Sequence, residues 1–359
     1  MIFHKALLRE LATAALPTFF VLLGIMLTTQ LVKLLGQAAS GAITSLGVMA
    51  LLGFTVLNYL PVLLSLTLFI SVLMTLTRSY RDSEMIVWFS SGLGLLRWTR
   101  PVLLFAVPLV FTIGLLSLVL SPWAVSKAEE FRQLMNMRDD VSAISPGVFR
   151  ESSRGDRVYF VEEVEGEQNY VANVFVSSTQ HHKLGVMVAR RGYQETHENG
   201  DRFLVLVNGR RYEGEAGTPE YKIYEFDRYA MRVETAASQA RAPTTKSTPT
   251  WGLLRDPSAR NLAELSWRIG LPLSALVLSV LAIPLSFVNP RAGRSMNLVL
   301  ALLIYMSYSN LLSVAQAYIA QARIGFATGL WGVHGVMALL LLLLFYRRVI
   351  VGSLWRRWR

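Results

Sequence analysis

The placement of charge constrains this chain more than any other feature. There is no charged side chain between Glu10 and Lys33, and the same holds for Leu34 to Thr77, Pro101 to Ser126, Ile269 to Pro290, Ser295 to Ala322 and Ile324 to Tyr346. In hydrocarbon a segment must satisfy its own backbone N–H and C=O groups, and about 20 predominantly apolar residues in an α-helix cross the roughly 30 Å core. The pattern predicts six spans, near 11–33, 55–77, 101–122, 268–288, 296–317 and 329–347. Lys5 and Arg9 precede the first span and Ala38-Ala39-Ser40 follow it, as in a leader peptide. Its apolar run of about 22 residues exceeds the roughly 7–15 of a cleavable leader, so it is expected to stay in the protein.

Only 16% of the 359 residues are charged, yet the formal net charge is +11. The excess sorts onto one side of six spans: Lys5 and Arg9, then Arg78, Arg81, Arg97 and Arg100, then Arg291 and Arg294, then Arg347, Arg348, Arg356, Arg357 and Arg359. The positive-inside bias makes that side cytoplasmic. The positive charge is therefore a topology signal, and no nucleic-acid partner is expected.

Between spans three and four the chain changes character. From Lys127 to Arg260 it carries nineteen basic and twenty acidic residues. Short runs rich in Val, Phe and Tyr read as strands: RVYFVEEV (157–164), YVANVFVSS (170–178), LGVMVARR (184–191), RFLVLVNG (202–209) and EYKIYEFDRYAMRVE (220–234). Glu165-Gly166, Asn199-Gly200, Asn208-Gly209 and Gly217-Thr218-Pro219 separate them as turn signals, which predicts an antiparallel sandwich or open barrel. The segment 236–261, rich in Ala, Thr, Ser and Pro, reads as a mobile linker. The expected domains are 1–122 (spans one to three), 123–262 (β-domain and linker) and 263–359 (spans four to six and a basic tail).

Catalytic signals are scarce. None of the six lysines follows a glycine, so no phosphate-cradling loop is expected. With no Cys there is no thiol chemistry, and of the five histidines only His181 and His182 are adjacent. No metal site, bound cofactor or enzymatic activity is expected. Lys33 and His334 are the ionisable groups nearest mid-membrane, which disfavours an ion-coupled carrier and leaves a permease powered from outside itself.

The loop after span two fits that reading. It begins polar (Arg81, Asp82, Ser83, Glu84), continues Met85-Ile86-Val87-Trp88-Phe89 and ends Ser90-Ser91-Gly92. This predicts a short helix at about 81–93 with an N-cap at Asp82 or Ser83 and a glycine stop. Such a helix either enters a groove on a soluble partner, with Glu84 forming a charge pair, or lies at the lipid headgroups.

The order of SEMIVWFSSG (83–92), AELSWRIGLPLS (263–274) and PLSFVNPRAGRSMN (284–297) on a six-span plan with an inserted β-domain resembles the LptF/LptG permeases of lipopolysaccharide export. The VNPRAGR stretch favours the LptF type. The resemblance implies an α-helical membrane protein with six transmembrane helices and a jellyroll-like periplasmic domain, in the inner membrane of a Gram-negative bacterium with both termini cytoplasmic. It implies a coupling helix docked on an LptB-type ATPase dimer, with Arg81 and Glu84 at the contact and Met85, Trp88 and Phe89 filling the groove. ATP would be used by that partner alone. The implied partners are an LptG-type permease, an LptC-type single-span jellyroll protein, lipopolysaccharide and membrane lipid. Lys33, near the periplasmic end of span one, would meet the lipid A phosphates, and small residues such as Gly24 and Ala301 would permit close helix approach at a gate. A scaffold whose β-domain binds a protein partner is the alternative.

Overall fold

A computed structural model of the chain describes residues 2–39, 43, 45–142, 147–151, 157–165, 170–180, 183–196, 202–215, 221–233, 244–287 and 294–357. Two compact units are present, one formed by 1–131 with 243–359 and the other by 132–242.

The first unit is helical: α1 (Ile2–Ala39), α2 (Ser45–Arg81), α3 (Glu84–Ser90), α4 (Thr99–Leu115), α5 (Ser121–Ser142, whose residues from Arg132 on belong to the second unit), α6 (Thr250–Arg255), α7 (Ala259–Leu285), α8 (Arg294–Ala320) and α9 (Phe326–Arg357). A 3₁₀ turn, Leu95–Trp98, precedes α4, and a π-helical segment, Leu116–Leu120, joins α4 to α5. Among the described residues, six stretches are long and apolar enough to cross a membrane: Lys5–Ala39, Gly47–Arg81, Leu95–Met135, Ala259–Leu285, Val299–Ala320 and Phe326–Val349. They match the six expected spans and run longer at most ends.

Helix α7 is the axis of the bundle, packing against α2, α4, α8 and α9. Its small residues Gly270, Ser274, Ala275 and Ala282 are buried and bring neighbouring helices close. A Cβ built on Gly270 would lie 3.3 Å from Leu312 of α8 and 3.5 Å from His334 Nε2 of α9. Helix α1 is the opposite case. Leu7 and Leu11 are buried, but beyond them Leu16, Phe20, Ile25 and Val32 are exposed, so most of this apolar helix faces outward.

The second unit holds an antiparallel meander: β1 (Arg150–Glu151), β2 (Arg157–Glu165), β3 (Tyr170–Gln180), β4 (Lys183–Thr196), β5 (Arg202–Glu215) and β6 (Tyr221–Val233), paired in sequence order. The described strands thus form one continuous sheet. One face buries Val161, Val171, Val174, Val176, Met187, Ala189, Leu204 and Leu206.

A crease crosses the sheet. The register is constant along each strand pair, yet Glu162, Asn173, Arg190, Asn208 and Asp227, aligned on five adjacent strands, are skipped in every ladder. Asn173 and Asn208 take the left-handed conformation there (φ 47 and 53). The inward pattern consequently steps by three at the crease on β3, β4 and β6, from Val174 to Val171, from Ala189 to Gly192 and from Phe226 to Tyr229. Asn208-Gly209, expected as a hairpin turn, lies inside β5; its positive φ forms the crease instead of a chain reversal. The other three expected turn signals fall at least partly outside the described residues.

The expected mobile linker also needs correction. Residues 234–243 lie outside the described residues, but 244–258 form turns and α6, tied to the helical unit by Arg268. A buried guanidinium must find acceptors, and the backbone of this segment supplies them.

Candidate functional site

The segment joining α2 to α3 is a tight reversal. Asp82 N–H donates to Arg78 O (2.8 Å) and Ser83 N–H to Tyr80 O (3.2 Å), and Ser83 adopts φ 62 as the N-cap residue of α3. The expected capping hydrogen bond from Asp82 or Ser83 is not made: the Ser83 hydroxyl does not cap, and the Asp82 carboxylate is drawn instead to Arg81 Nε (3.1 Å) and Arg78 Nε (4.0 Å). The glycine stop is present. Gly92 has φ 84, its N–H donates to Phe89 O, and Leu93 N–H donates to Trp88 O, which closes the helix as a Schellman motif.

The apolar side chains of α3 divide between its two faces, and the three expected to fill a partner's groove, Met85, Trp88 and Phe89, all lie on the inner one. Met85 is 2% exposed and belongs to the helical core, and Trp88 and Phe89 pack half-buried against that core. Phe89 stacks at a tilt on Tyr80, with ring centroids 6.3 Å apart, and Tyr80 meets Phe287 edge-on at 5.4 Å. The outward apolar surface is made by Ile86 and Val87, at 68% and 67% exposed. Neither is among the side chains expected to fill a partner's groove. Their only signal was position, since a helix that buries residues 85, 88 and 89 must turn 86 and 87 away.

Charge surrounds the helix start. Arg78 Nη2 lies 2.9 Å from Glu10 Oε1 of α1 and 3.8 Å from Glu84 Oε1, and all three side chains are more than a third exposed. Glu84 therefore remains reachable while its carboxylate is held at the first turn of α3, where the helix dipole favours it. Arg81 is exposed and leans on Asp82.

Lys33 is exposed on α1 and joins none of the ion pairs formed among the described residues. A Cβ built on Gly24 would meet nothing within 4 Å, leaving that face of α1 open, whereas Ala301 is buried within the chain's own core.

The interior of the helical unit holds two charges in the first turns of span four. Arg268 and Glu264, one turn apart on α7, are both buried and pair at 3.0 Å. Arg268 Nη1 donates to Thr250 Oγ1 (2.9 Å), and Nη2 lies within hydrogen-bond reach of the carbonyls of Thr245, Lys246 and Thr248 (3.0–3.1 Å). Gln316 Nε2 of α8 reaches the other Glu264 oxygen at 3.4 Å. The i,i+4 spacing in AELSWRIG was the available signal. His334 is buried against Tyr308, whose hydroxyl lies 2.6 Å from His334 Nδ1. Among the described residues no group of three or more His, Asp or Glu is placed to hold a metal.

Among the described residues, six apolar helices around a small-residue axis, an inserted β-sheet unit and a short helix after the second span define a multi-span membrane protein. The sequence profile of the family described as "Lipopolysaccharide export system permease LptF/LptG" matches residues 5–347, and the chain belongs to that family. It is similar to the lipopolysaccharide export system permease protein LptF of Escherichia coli (strain K12), with 29% identity over 311 residues, 86% of this chain and 84% of the relative. The protein of the same name in Shigella flexneri matches to the same extent. These relatives support the LptF type over the LptG type. The chain is thus a multi-pass inner-membrane transport subunit.

Proposed function

We propose that this chain is one half of an ATP-driven extractor of lipopolysaccharide. Paired with an LptG-type permease, it accepts the lipid laterally from the outer leaflet, and an LptB-type ATPase dimer below closes the cavity. The lipid then passes to the inserted β-domain, which together with an LptC-type jellyroll protein forms a path toward the outer membrane. Both termini and α3 lie in the cytoplasm, and the β-domain lies in the periplasm.

The observation that carries this reading is the arrangement of α3. It is anchored from within by Met85, closed by a Schellman motif and bare at Ile86, Val87 and Glu84, which is the form of a rigid docking element between two spans. On the opposite side of the membrane, Lys33 offers an ammonium to an anionic headgroup on a helix whose apolar surface is largely uncovered.

The test is capture of the chain, wild type and Glu84→Arg, from its native membrane, followed by an ATPase assay with and without lipopolysaccharide. Wild type is expected to bring down a second permease and an ATPase, and the charge reversal to lose the ATPase or its activity. If wild type comes down without any ATPase, the membrane-anchored scaffold replaces the extractor.

A further inference from the structure

The segment between the β-unit and span four is fixed at a definite depth. Thr250, the first residue of α6, accepts from Arg268 of α7, and its hydroxyl donates to the carbonyl of Leu118 in the π-helical segment. Ser117 in that segment donates to Arg268 O (3.0 Å), so α6 begins where the two spans and Arg268 meet.

Both spans place this junction at the same level. Leu118 lies eighteen residues beyond Arg100, and Arg268 lies eighteen residues before Ser286. At 1.5 Å per residue each separation is about 27 Å, close to the roughly 30 Å hydrocarbon thickness. Arg100 and Ser286 belong to one side, since Phe287 packs edge-on against Tyr80 near α3. Arg268 and Thr250 therefore sit at the opposite hydrocarbon boundary.

Helix α6 extends from that boundary with its apolar side chains divided. Leu253 is fully buried, while Trp251 and Leu254 are 60% and 61% exposed. The exposed Arg255 guanidinium lies 4.5 Å from the centre of the Trp251 ring. Trp123 is also exposed, five residues beyond Leu118 and hence about 7.5 Å further out along α5. Exposed tryptophans at this level and within about 7.5 Å beyond it, one carrying a guanidinium, have the composition of the headgroup layer, where amphipathic rings and cations meet lipid phosphates.

We propose that α6 is an interfacial helix embedded in the lipid surface opposite α3, with Trp251 and Leu254 at the headgroup–acyl boundary and Arg268 clamping it there. The occupant of this apolar face is bilayer lipid, because the face continues directly from two spans at the depth where hydrocarbon ends. The proposal requires the chain to be in a membrane and is independent of the cargo.

The absence of cysteine allows a clean test by single labelling. Nitroxide is placed at Leu254→Cys in the full-length chain in phosphatidylethanolamine–phosphatidylglycerol vesicles, with Phe111→Cys as the lipid-facing control and the exposed Lys222→Cys of β6 as the aqueous one. Power saturation then compares access of oxygen, which partitions into lipid, with that of a nickel chelate, which stays in water. The label at 254 is expected to show nickel access about fivefold or more below that at 222, with oxygen access approaching that at 111. Nickel access equal to that at 222 overturns the proposal, and so does shielding from both reagents, which would mean that protein covers the face. Adding Arg268→Gln, or Thr250→Val if that variant fails to insert, is expected to move the label toward water. A label that stays at depth in Thr250→Val removes the clamp role.

Discussion

Arg78 and Glu84 face each other at 3.8 Å across the Asp82-Ser83 reversal, and the same guanidinium lies 2.9 Å from Glu10 of α1. One exposed arginine thus links span one, span two and the short helix after it. An exposed pair contributes only about 0–1 kcal/mol to folding, so its value lies in positioning. Arg78→Ala is expected to leave thermal unfolding of the purified chain within a few degrees of wild type while lipopolysaccharide-stimulated ATP hydrolysis of the assembled exporter falls severalfold. Unchanged hydrolysis would show that Glu84 needs no holder.

The two faces of α3 predict opposite phenotypes. Met85→Ala removes a fully buried side chain and is expected to destabilise the helical unit by about 2–5 kcal/mol, seen as a lower melting temperature. Ile86→Ser with Val87→Ser should leave melting unchanged and abolish ATPase co-purification. Retention of the ATPase by the double variant would assign the docking surface elsewhere.

Removing Arg268 alone strands a buried carboxylate, which typically costs about 3–5 kcal/mol, whereas replacing both charges is often near neutral. Arg268→Met should therefore melt well below wild type, and Arg268→Met with Glu264→Leu should recover much of the loss. The exposed Lys246, whose carbonyl Arg268 holds, is expected to resist trypsin in wild type and to be cut rapidly in Arg268→Met. Equal cleavage of the two proteins would return 244–250 to the status of a loose linker.

Gly209 stands beside the crease, where an added Cβ would lie 2.5 Å from Phe226 Cζ and 2.6 Å from Val188 O. Gly209→Ala is expected to destabilise the β-unit by about 1–3 kcal/mol. Phe226→Ala should not rescue it, because the Val188 carbonyl is backbone and stays in place. Asn208→Gly, at φ 53, should be tolerated, while Asn208→Val should destabilise by about 1–3 kcal/mol. Hydrogen exchange of β4 and β5 amides reports each change directly.

If Lys33 meets lipid phosphate, Lys33→Arg should keep most lipopolysaccharide cross-linking to α1 and Lys33→Glu should lose about tenfold of it. Equal cross-linking by the two variants would leave Lys33 as a membrane anchor only.

Charge alone determined the membrane plan. Six charge-free tracts, separated by basic loops on one side and a balanced, strand-rich insert on the other, leave a chain with one backbone unit per residue few alternatives to six helices and a β-domain. The short helix after span two was equally legible, because a glycine stop and a polar start bound an apolar run.

Tertiary structure decided what local pattern does not encode. Which face of α3 is bare depends on what Met85 meets in α2 and its neighbours, and no property of Met85, Ile86 or Val87 alone separates them. Asn208-Gly209 favours positive φ in a hairpin or a crease alike, and only alignment with Asn173, Arg190 and Asp227 on adjacent strands selects the crease. The Thr- and Ser-rich 244–250 segment reads as loose from its composition. It is fixed because Arg268, twenty or more residues after the carbonyls it holds, is buried away from water, so the segment's backbone must serve its guanidinium.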